Sequence, residues 1–206
     1  MHEYTQRVLN IPIIEQRTEE WYNLRENLLT ASDVPTVIGD NKYKSKKKLL
    51  KEKCNLCMKF KGNKATEHGQ RYESIALKKY EETYKDKCYE TGLYIHPRYT
   101  WLGCSPDGIT DSGILIEIKC PLYREIKHEV PECYKGQIQV QLECMDMDTC
   151  AFVQYKPAMN NKEEEFDVVM VQRDRKWFAD KLPILQEFWD QVIKTRNQTI
   201  EIHLKT

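Results

Sequence analysis

The segment at residues 114–120, Ile-Leu-Ile-Glu-Ile-Lys-Cys, constrains the fold of this chain more than any other stretch. Side chains alternate along an extended chain, so Glu117 and Lys119 point to one face while the isoleucines and Cys120 point to the other. The apolar face is typical of a core strand. An acid and a base on the opposite face must be solvated, paired with each other or used in chemistry. The segment therefore predicts a strand of a packed sheet whose second face carries a charged pair.

Hydrophobic periodicity predicts helices and further strands on both sides of this segment. The predicted helices cover residues 19–29, 66–87, 132–147 and 174–195. A further short helix is predicted to be capped by residues 30–33 and to end at Gly39. The predicted strands cover residues 88–96, 99–104, 114–120, 150–155 and 166–172. Helices that flank a small sheet predict an α/β (α+β) fold with a central mixed sheet.

The length of 206 residues suits one compact domain and is too short for two ordinary ones. Within that single domain we expect an N-terminal helical, lysine-rich part at 1–64, a core at 65–172 and a C-terminal helix at 173–206 that packs on the core. Aromatic residues make up 10% of the chain and the formal net charge is zero. Disorder is excluded, because disordered chains combine low hydrophobicity with a large net charge and few aromatics.

The zero net charge argues against a nucleic-acid partner only if the charges are evenly spread. They are segregated, since residues 42–64 contain ten lysines and a single acidic residue, Glu52. This lysine-rich segment suits contact with a phosphate backbone, and it equally suits a solvated helix face. The sequence leaves both interpretations open.

The chain has no apolar run of about 18 residues, so a membrane span is excluded. The N-terminus does not have the pattern of a secretory signal. Eight cysteines in a chain of this length are then expected to be reduced thiols of an intracellular protein. Cys54 and Cys57 form the only close pair, and ordinary thiols are favoured over a metal site because no matching second pair accompanies them.

Two carboxylates are expected to meet near the charged pair of the central strand. The turn at 110–113 would fold Asp107 back beside Glu117. Oxygen ligands of this kind suit Mg²⁺ or Mn²⁺, which can promote phosphodiester hydrolysis while Lys119 holds the attacking water or the developing charge. Glu73, at the edge of the apolar stripe of the helix at 66–87, is a candidate third carboxylate.

Simpler interpretations exist for each of these features. An Asp-Gly turn and a Glu-x-Lys pair are both common in solvent-exposed hairpins. On the helix at 132–147, Tyr134, Gln137 and Gln141 share one face. From the residues alone, a polar outer face is the favoured interpretation of those glutamines.

Taken together, the motifs resemble those of the PD-(D/E)xK nuclease superfamily and, within it, the YqaJ-type viral recombinase (phage lambda exonuclease-like) family. The resemblance extends from about residue 17 to 155. It is carried by Asp107-Gly, Glu117-Ile-Lys-Cys-Pro121, Gly69-x-x-Tyr-Glu73, Tyr134-x-x-Gln137, and the N-terminal Arg17-Thr-Glu-Glu-Trp-Tyr-Asn-Leu-Arg25 followed by Thr30-Ala-Ser32. It implies a restriction-endonuclease-like core with a central mixed sheet.

The resemblance also implies a role for each matching residue. Asp107, Glu117 and the backbone carbonyl of Ile118 would ligate Mg²⁺ or Mn²⁺. Glu73 would bind a second ion of the same site, directly or through water, and Lys119 would orient the nucleophilic water.

Further matching residues are implied to contact substrate. Gln137 would line the catalytic site, with Tyr134 and Gln141 as substrate-binding neighbours on the same helix. A pocket for a 5′-phosphate would be formed by Arg25, Ser32 and Ser105, since a guanidinium and hydroxyls suit a terminal phosphate. Trp21 could stack on the DNA end, but a core position is favoured for it.

The function implied is that of a Mg²⁺-dependent deoxyribonuclease that degrades one strand of linear duplex DNA from a 5′-phosphate end, in recombination or end processing. The resemblance further implies a viral or phage origin, a single-strand annealing protein as partner and a homotrimer. Two alternatives stay open. One is a structure-specific or sequence-specific endonuclease on the same core, and the other is a non-catalytic DNA-binding module.

Overall fold

The computed structural model describes residues 1–58, 62–159 and 162–203. Its helices are α1 (Glu3–Leu9), α2 (Glu19–Glu26), α3 (Val34–Ile38), α4 (Lys46–Lys53), α5 (Lys64–Tyr84), α6 (Glu132–Met145) and α7 (Arg175–His203). Its strands are β1 (Leu29–Thr30), β2 (Cys88–Tyr89), β3 (Tyr94–Ile95), β4 (Leu102–Cys104), β5 (Gly108–Thr110), β6 (Leu115–Lys119), β7 (Thr149–Lys156) and β8 (Glu165–Gln172). A 3₁₀ turn, Ala31–Asp33, joins β1 to α3. None of the described helices is long and apolar enough to cross a membrane.

The strands form two sheets. The main sheet has the order β2-β5-β6-β7-β8, and the small sheet has the order β1-β4-β3. In the main sheet β6 and β7 run parallel and the other neighbours run antiparallel. The chain passes from β6 to β7 through α6, which is the connection that a parallel pair requires. The predicted mixed sheet is therefore present.

Both faces of β6 are covered. Ile116 and Ile118 pack on one face against Ala76 and Tyr80 of α5. Leu115 packs on the other face in the larger core, which α6 and α7 also join. The alternation predicted along the segment is therefore found, but the face that carries the charged pair is buried as well. The sheet is the middle layer of three, with helices on both sides.

The N-terminal helices belong to the same core as the C-terminal helix. Val37 of α3 and Leu49 of α4 lie in one buried cluster with Leu185 and Phe188 of α7. Gly39 ends α3 with a φ of 97°, a conformation that glycine adopts without strain. The N-terminal part is thereby fixed against the elements that follow the main sheet.

Two short strands replace the single strand that the sequence predicts at 88–96. Cys88–Tyr89 joins the main sheet and Tyr94–Ile95 joins the small one. The break falls at Gly92, where an added Cβ would lie 2.5 Å from the carbonyl oxygen of Ile14. Only glycine permits this close approach of the segment at 14–17, which we call the strap.

Other boundaries differ because residues expected in a helix or a turn pair with a strand. The helix predicted at 19–29 ends at Glu26, because the Leu29 N–H donates to the carbonyl oxygen of Trp101 and Leu29–Thr30 pairs with β4. Gly108 and Thr110, each expected in a turn, are the two ends of β5, which forms through its pairing with β6. In both cases pairing with another strand supplies the hydrogen bonds.

The lysine-rich segment includes α4, while its residues 59–61 lie outside the described residues. Lys44 forms an ion pair with Glu52 at 2.9 Å, so part of the segment is structural. Cys54 is buried, with its Sγ 3.7 Å from the carbonyl oxygen of Val192. In the part of the chain that the structure describes, no group of three or more His, Cys, Asp or Glu side chains is placed to hold a metal ion.

A buried ion pair joins the 3₁₀ turn before α3 to α4. Asp33 lies 2.8 Å from Nζ of Lys53 and accepts a hydrogen bond from the Thr30 hydroxyl at 2.7 Å. The same Lys53 ammonium donates to the carbonyl oxygens of Arg25 and Leu28. Burial alone would raise the pKa of Asp33, but Lys53 and Arg25 outweigh it and lower that pKa from 3.8 to about 2.

We expect Asp33→Asn to lower the free energy of unfolding by about 2 kcal/mol near neutral pH. Because the pKa of Asp33 is depressed in the folded state, its contribution is complete above its ordinary pKa of 3.8 and is lost as the pH falls toward 2. Urea unfolding of both proteins at several pH values measures the difference. Asp180→Asn, at an exposed pair with Lys176, is the control and should change stability little. A difference that stays constant down to about pH 2 would contradict this assignment.

Candidate active site

Asp107 lies just before β5 and is tied to β6 by two hydrogen bonds. Its N–H donates to the carbonyl oxygen of Ile116 at 3.1 Å. Its Oδ2 accepts from the N–H of Ile118 at 2.6 Å. The β5–β6 hairpin therefore folds the Asp107 carboxylate toward Glu117, close enough for the two to interact electrostatically.

Glu117 is buried at the centre of the main sheet, with 1% of its surface exposed. Its Oε1 accepts from Nε2 of Gln137 at 2.6 Å, and its Oε2 accepts from Nε2 of Gln141 at 2.6 Å. The Lys119 ammonium also donates to Oε1. A buried carboxylate is costly unless it is paired and hydrogen-bonded, and here both conditions are met.

The interpretation of the two glutamines as a polar outer face is therefore wrong. Ile138, Val140 and Leu142 are fully buried around them, so this part of α6 has no outer face. No local pattern could have indicated this, because the burial of α6 on both sides depends on the elements that pack against it. Gln141 is 1% exposed, which also excludes the predicted direct contact with substrate. It positions Glu117 instead.

Burial and neighbouring charges shift the pKa values of two groups in the site. Burial, followed by the neighbouring carboxylates of Glu117 and Glu73, raises the pKa of Asp107 well above its ordinary value, against the opposing effect of Lys119. Burial acts to lower the pKa of Lys119, but Glu117 and Asp107 outweigh it and raise that pKa. Carboxylates that repel each other in a poorly solvated place are stabilised by a nearby cation.

The oxygen atoms of the site fit Mg²⁺ or Mn²⁺. Asp107 and Glu117 supply carboxylates, and Ile118 lies next to Glu117 with its backbone beside the Asp107 side chain. Mg²⁺ is usually held by one or two carboxylates and keeps several waters, so a larger protein ligand set is not required. These residues would hold the ion, and all of their ligand atoms are oxygens, which Mg²⁺ and Mn²⁺ prefer.

Glu73 projects from α5 into the same cleft. The cleft has a volume of about 540 Å³, and its lining includes Glu73, Asp107 and Ile118. Both carboxylate oxygens of Glu73 accept from Nη2 of Arg17 at 2.7 Å. The candidate third carboxylate is thus near the other two but is engaged by an arginine.

The three residues predicted to bind a phosphate come from separate elements and lie together. Arg25 of α2 donates through Nη2 to the hydroxyl of Ser32 at 3.1 Å. The guanidinium carbon of Arg25 lies 4.2 Å from the centre of the Trp21 ring. Nε1 of Trp21 in turn donates to the hydroxyl of Ser105 at 3.0 Å. Burial lowers the pKa of Arg25, while the Asp33 carboxylate opposes that effect.

Trp21 is only partly buried and belongs to neither buried cluster, so the favoured core position for this side chain is wrong. It links Arg25 to Ser105 within the candidate phosphate pocket. Tyr134 of α6 packs on Phe152 and lies under the Lys119 ammonium, 5.1 Å from ring centre to Nζ. Tyr134 is therefore a neighbour of the charged pair, and its role in binding substrate stays a prediction.

Sequence reasoning assigned no role to the strap. Nε2 of Gln16 donates to the carbonyl oxygens of Thr91 and Pro106 at 3.0 and 2.8 Å. Pro106 precedes Asp107, so the strap is anchored beside the first carboxylate. No local pattern could have indicated these contacts, since 75 and 90 residues separate the partners.

We expect Gln141→Leu to lower the free energy of unfolding by about 1 to 3 kcal/mol, because Oε2 of the buried Glu117 loses its donor. Urea unfolding at neutral pH measures the change. Gln70→Leu, on the rim of the cleft, is the control and should alter stability by less than about 0.5 kcal/mol. Equal or greater stability of Gln141→Leu would show that this hydrogen bond does not support the carboxylate.

The chain is similar to several known proteins. The model of the YqaJ-like viral recombinase domain matches residues 20–148. An uncharacterized protein of Acanthamoeba polyphaga mimivirus is 32% identical over 177 residues, which cover 77% of this chain and 32% of the relative. A protein of African swine fever virus is 32% identical over 158 residues, which cover 61% of this chain and 45% of the relative. The chain thus spans less than half the length of these curated relatives.

Solved structures show the same architecture. A crystal structure of an alkaline exonuclease from Laribacter hongkongensis has a TM-score of 0.75 and 27% identity, and the match covers 91% of this chain and 99% of that one. The structure of that enzyme in complex with dAMP gives a TM-score of 0.74 and 26% identity over the same shares of the two chains. A phage related exonuclease from Haemophilus somnus, at 18% identity and a TM-score of 0.63, shares the fold over 88% of this chain and 98% of its own.

These matches confirm the predicted α/β fold of the PD-(D/E)xK type and the predicted relationship. The matched region contains the carboxylates at 73, 107 and 117, the lysine at 119 and the residues of the candidate phosphate pocket. The chain belongs to the YqaJ-like viral recombinase domain family.

Proposed function

We propose that this chain is a Mg²⁺- or Mn²⁺-dependent deoxyribonuclease that removes nucleotides from the 5′ end of linear duplex DNA. The observation that carries the proposal is the meeting of Asp107, Glu117 and Lys119 at one end of the β5–β6 hairpin. Membership of the family and the likeness to an alkaline exonuclease support a nuclease as the general activity.

Each side chain has a distinct task in this proposal. A bound divalent cation would supply Lewis-acid polarisation of the scissile phosphate and a more acidic water. Glu117 cannot rotate freely, because Gln137 and Gln141 each hold one of its oxygens. Lys119 is an ammonium with donors and no acceptor, so it would orient the attacking water or stabilise developing negative charge rather than remove a proton.

The preference for a 5′ end rests on the pocket of Arg25, Ser32 and Ser105. A guanidinium and two hydroxyls match the oxygens of a terminal phosphate, and Arg25 already faces Ser32. Ser105 lies two residues before Asp107, so a phosphate in this pocket would be close to the carboxylates. The partner is accordingly duplex DNA with a 5′-phosphate. The homotrimer, the annealing protein and the second metal ion are further proposals that follow from the family.

We expect Asp107→Asn and Lys119→Ala to reduce nuclease activity on linear duplex DNA by roughly a hundredfold or more, since each removes a group placed at the reacting phosphate. A gel time course with Mg²⁺, using duplex labelled at either end, measures rate and polarity together. Chelation of the metal should abolish the activity. Full activity of either variant would contradict the proposed site.

Matched controls come from the exposed pair on α7. Asp180→Asn and Lys176→Ala make the same kinds of change on the outer surface and should leave the rate unchanged. Covalently closed circular duplex separates the exonuclease from an endonuclease on the same core. Intact circles are expected, and cleavage of the circles would favour the endonuclease.

We expect the wild-type chain to prefer a 5′-phosphate over a 5′-hydroxyl duplex by roughly 10- to 100-fold, since a hydrogen bond to a charged group contributes about 1.5 to 3 kcal/mol. Arg25→Ala should abolish this preference, and Arg25→Lys should restore it only in part because lysine lacks the planar fork. Initial rates on the two substrates measure it. Wild-type protein that does not distinguish the substrates would rule out the pocket.

A further inference from the structure

Glu73 is held by Arg17 through both of its oxygens. Nη2 of Arg17 lies 2.7 Å from Oε1 and from Oε2. The side chain of Arg17 is 43% exposed and that of Glu73 is 29% exposed. A metal ion that binds Glu73 therefore favours movement of the arginine, because the guanidinium repels a second cation beside the same oxygens.

The backbone of Arg17 is unusual. Its φ is 69°, in the left-handed region that non-glycine residues seldom adopt. Among the described residues, the other non-glycine residues with positive φ are Asn55, Lys85 and Asp146, all at the C-terminal ends of helices, where this conformation is common. Arg17 instead precedes α2, whose cap is Thr18. A helix end therefore does not account for its conformation, which aims the side chain across the cleft.

The strap keeps Arg17 in that place. The Leu93 N–H donates to the carbonyl oxygen of Ile14, and Gln16 bonds to the carbonyl oxygens of Thr91 and Pro106. The anchored backbone leaves the long side chain of Arg17 as the part that can move. Arg17, Glu73 and Asp107 all line the same cleft.

The ion pair is weak enough to be exchanged. Pairs between partly exposed side chains change an equilibrium constant by a factor of about five or less. A doubly charged cation attracts a carboxylate more strongly than a guanidinium does at the same distance. Entry of a cation beside Asp107 and Glu117 would also repel the arginine.

We propose that Arg17 is the resident counter-ion of Glu73 and that a second divalent cation binds by displacing it. Arg17 is thus a positioning residue that sets the affinity of the second cation without touching the first. This inference rests on the proposed metal-dependent function. It predicts ordered binding, with the ion at Asp107 and Glu117 bound first and the ion at Glu73 bound second and more weakly.

The test is Mn²⁺ binding to the purified full chain, followed by the electron paramagnetic resonance signal of free Mn²⁺. This signal counts bound ions without any measurement of nuclease activity. Wild-type protein should bind one ion tightly and a second weakly. Arg17→Gly should tighten the second ion by roughly fivefold, the factor attributed to the lost ion pair. Glycine accepts the positive φ, so the backbone of the strap is expected to stay in place.

Two further variants isolate the ion pair. Arg71→Ala removes the same formal charge from an exposed position of α5, two residues before Glu73, and residues at that spacing do not face each other on a helix. It should leave Mn²⁺ binding unchanged. In a Glu73→Gln background the second ion should be lost, and Arg17→Gly should then have no further effect. Arg17→Gln repeats the test with a polar side chain, and thermal unfolding verifies that each variant is folded.

The outcomes separate this inference from the proposed function. An unchanged or weaker second ion in Arg17→Gly, or an equal gain in Arg71→Ala, overturns the role of Arg17. The proposed function survives that result if one ion still binds and Asp107→Asn removes it. Wild-type protein that binds no Mn²⁺ overturns both.

Discussion

The buried carboxylate of Glu117 is the constraint on which the rest of the structure depends. A charge in the middle of a three-layer fold is costly to bury, by several kcal/mol in order of magnitude, unless donors surround it. Lys119 of the same strand and two glutamines of α6 supply those donors. The helix must therefore lie across β6 with its polar side chains inward, which also fixes the crossover to β7. The contacts that hold the candidate site together therefore also fix the packing of α6 on the main sheet.

The small sheet brings the N-terminal part to the candidate site. β1 pairs in parallel with β4, with Thr30 opposite Gly103. Ser32 and Ser105 each follow these paired residues by two positions, so the register places both hydroxyls at the same end of the sheet. α2 precedes β1 and contributes Arg25 beside them. Two strands of two and three residues thus align a candidate phosphate pocket with the carboxylates.

The local sequence pattern is sufficient to predict the central β5–β6 hairpin. It is insufficient to predict the contacts that other segments make with the carboxylates. Alternation along the segment at 114–120 and the turn before it predicted that Asp107 would lie near Glu117, because both signals are contained within a few residues. The direction of the glutamines on α6 depends on what covers that helix, which periodicity does not report. The contact of Arg17 with Glu73 spans 56 residues and is set by the strap. The missed features all depend on packing between distant segments.

The chain crosses from the small sheet to the main sheet between Cys104 and Gly108, and this crossing has a geometric consequence. Ser32 and Ser105 follow strands of the small sheet, while Asp107 and Glu117 belong to the hairpin of the main sheet. Ser105 and Asp107 are joined by a link that spans at most about 7 Å when extended. If the pocket receives the terminal phosphate, the length of this link fixes the distance between the bound end of the DNA strand and the bond to be broken. Its length, rather than the identity of any base, would then set the size of the product.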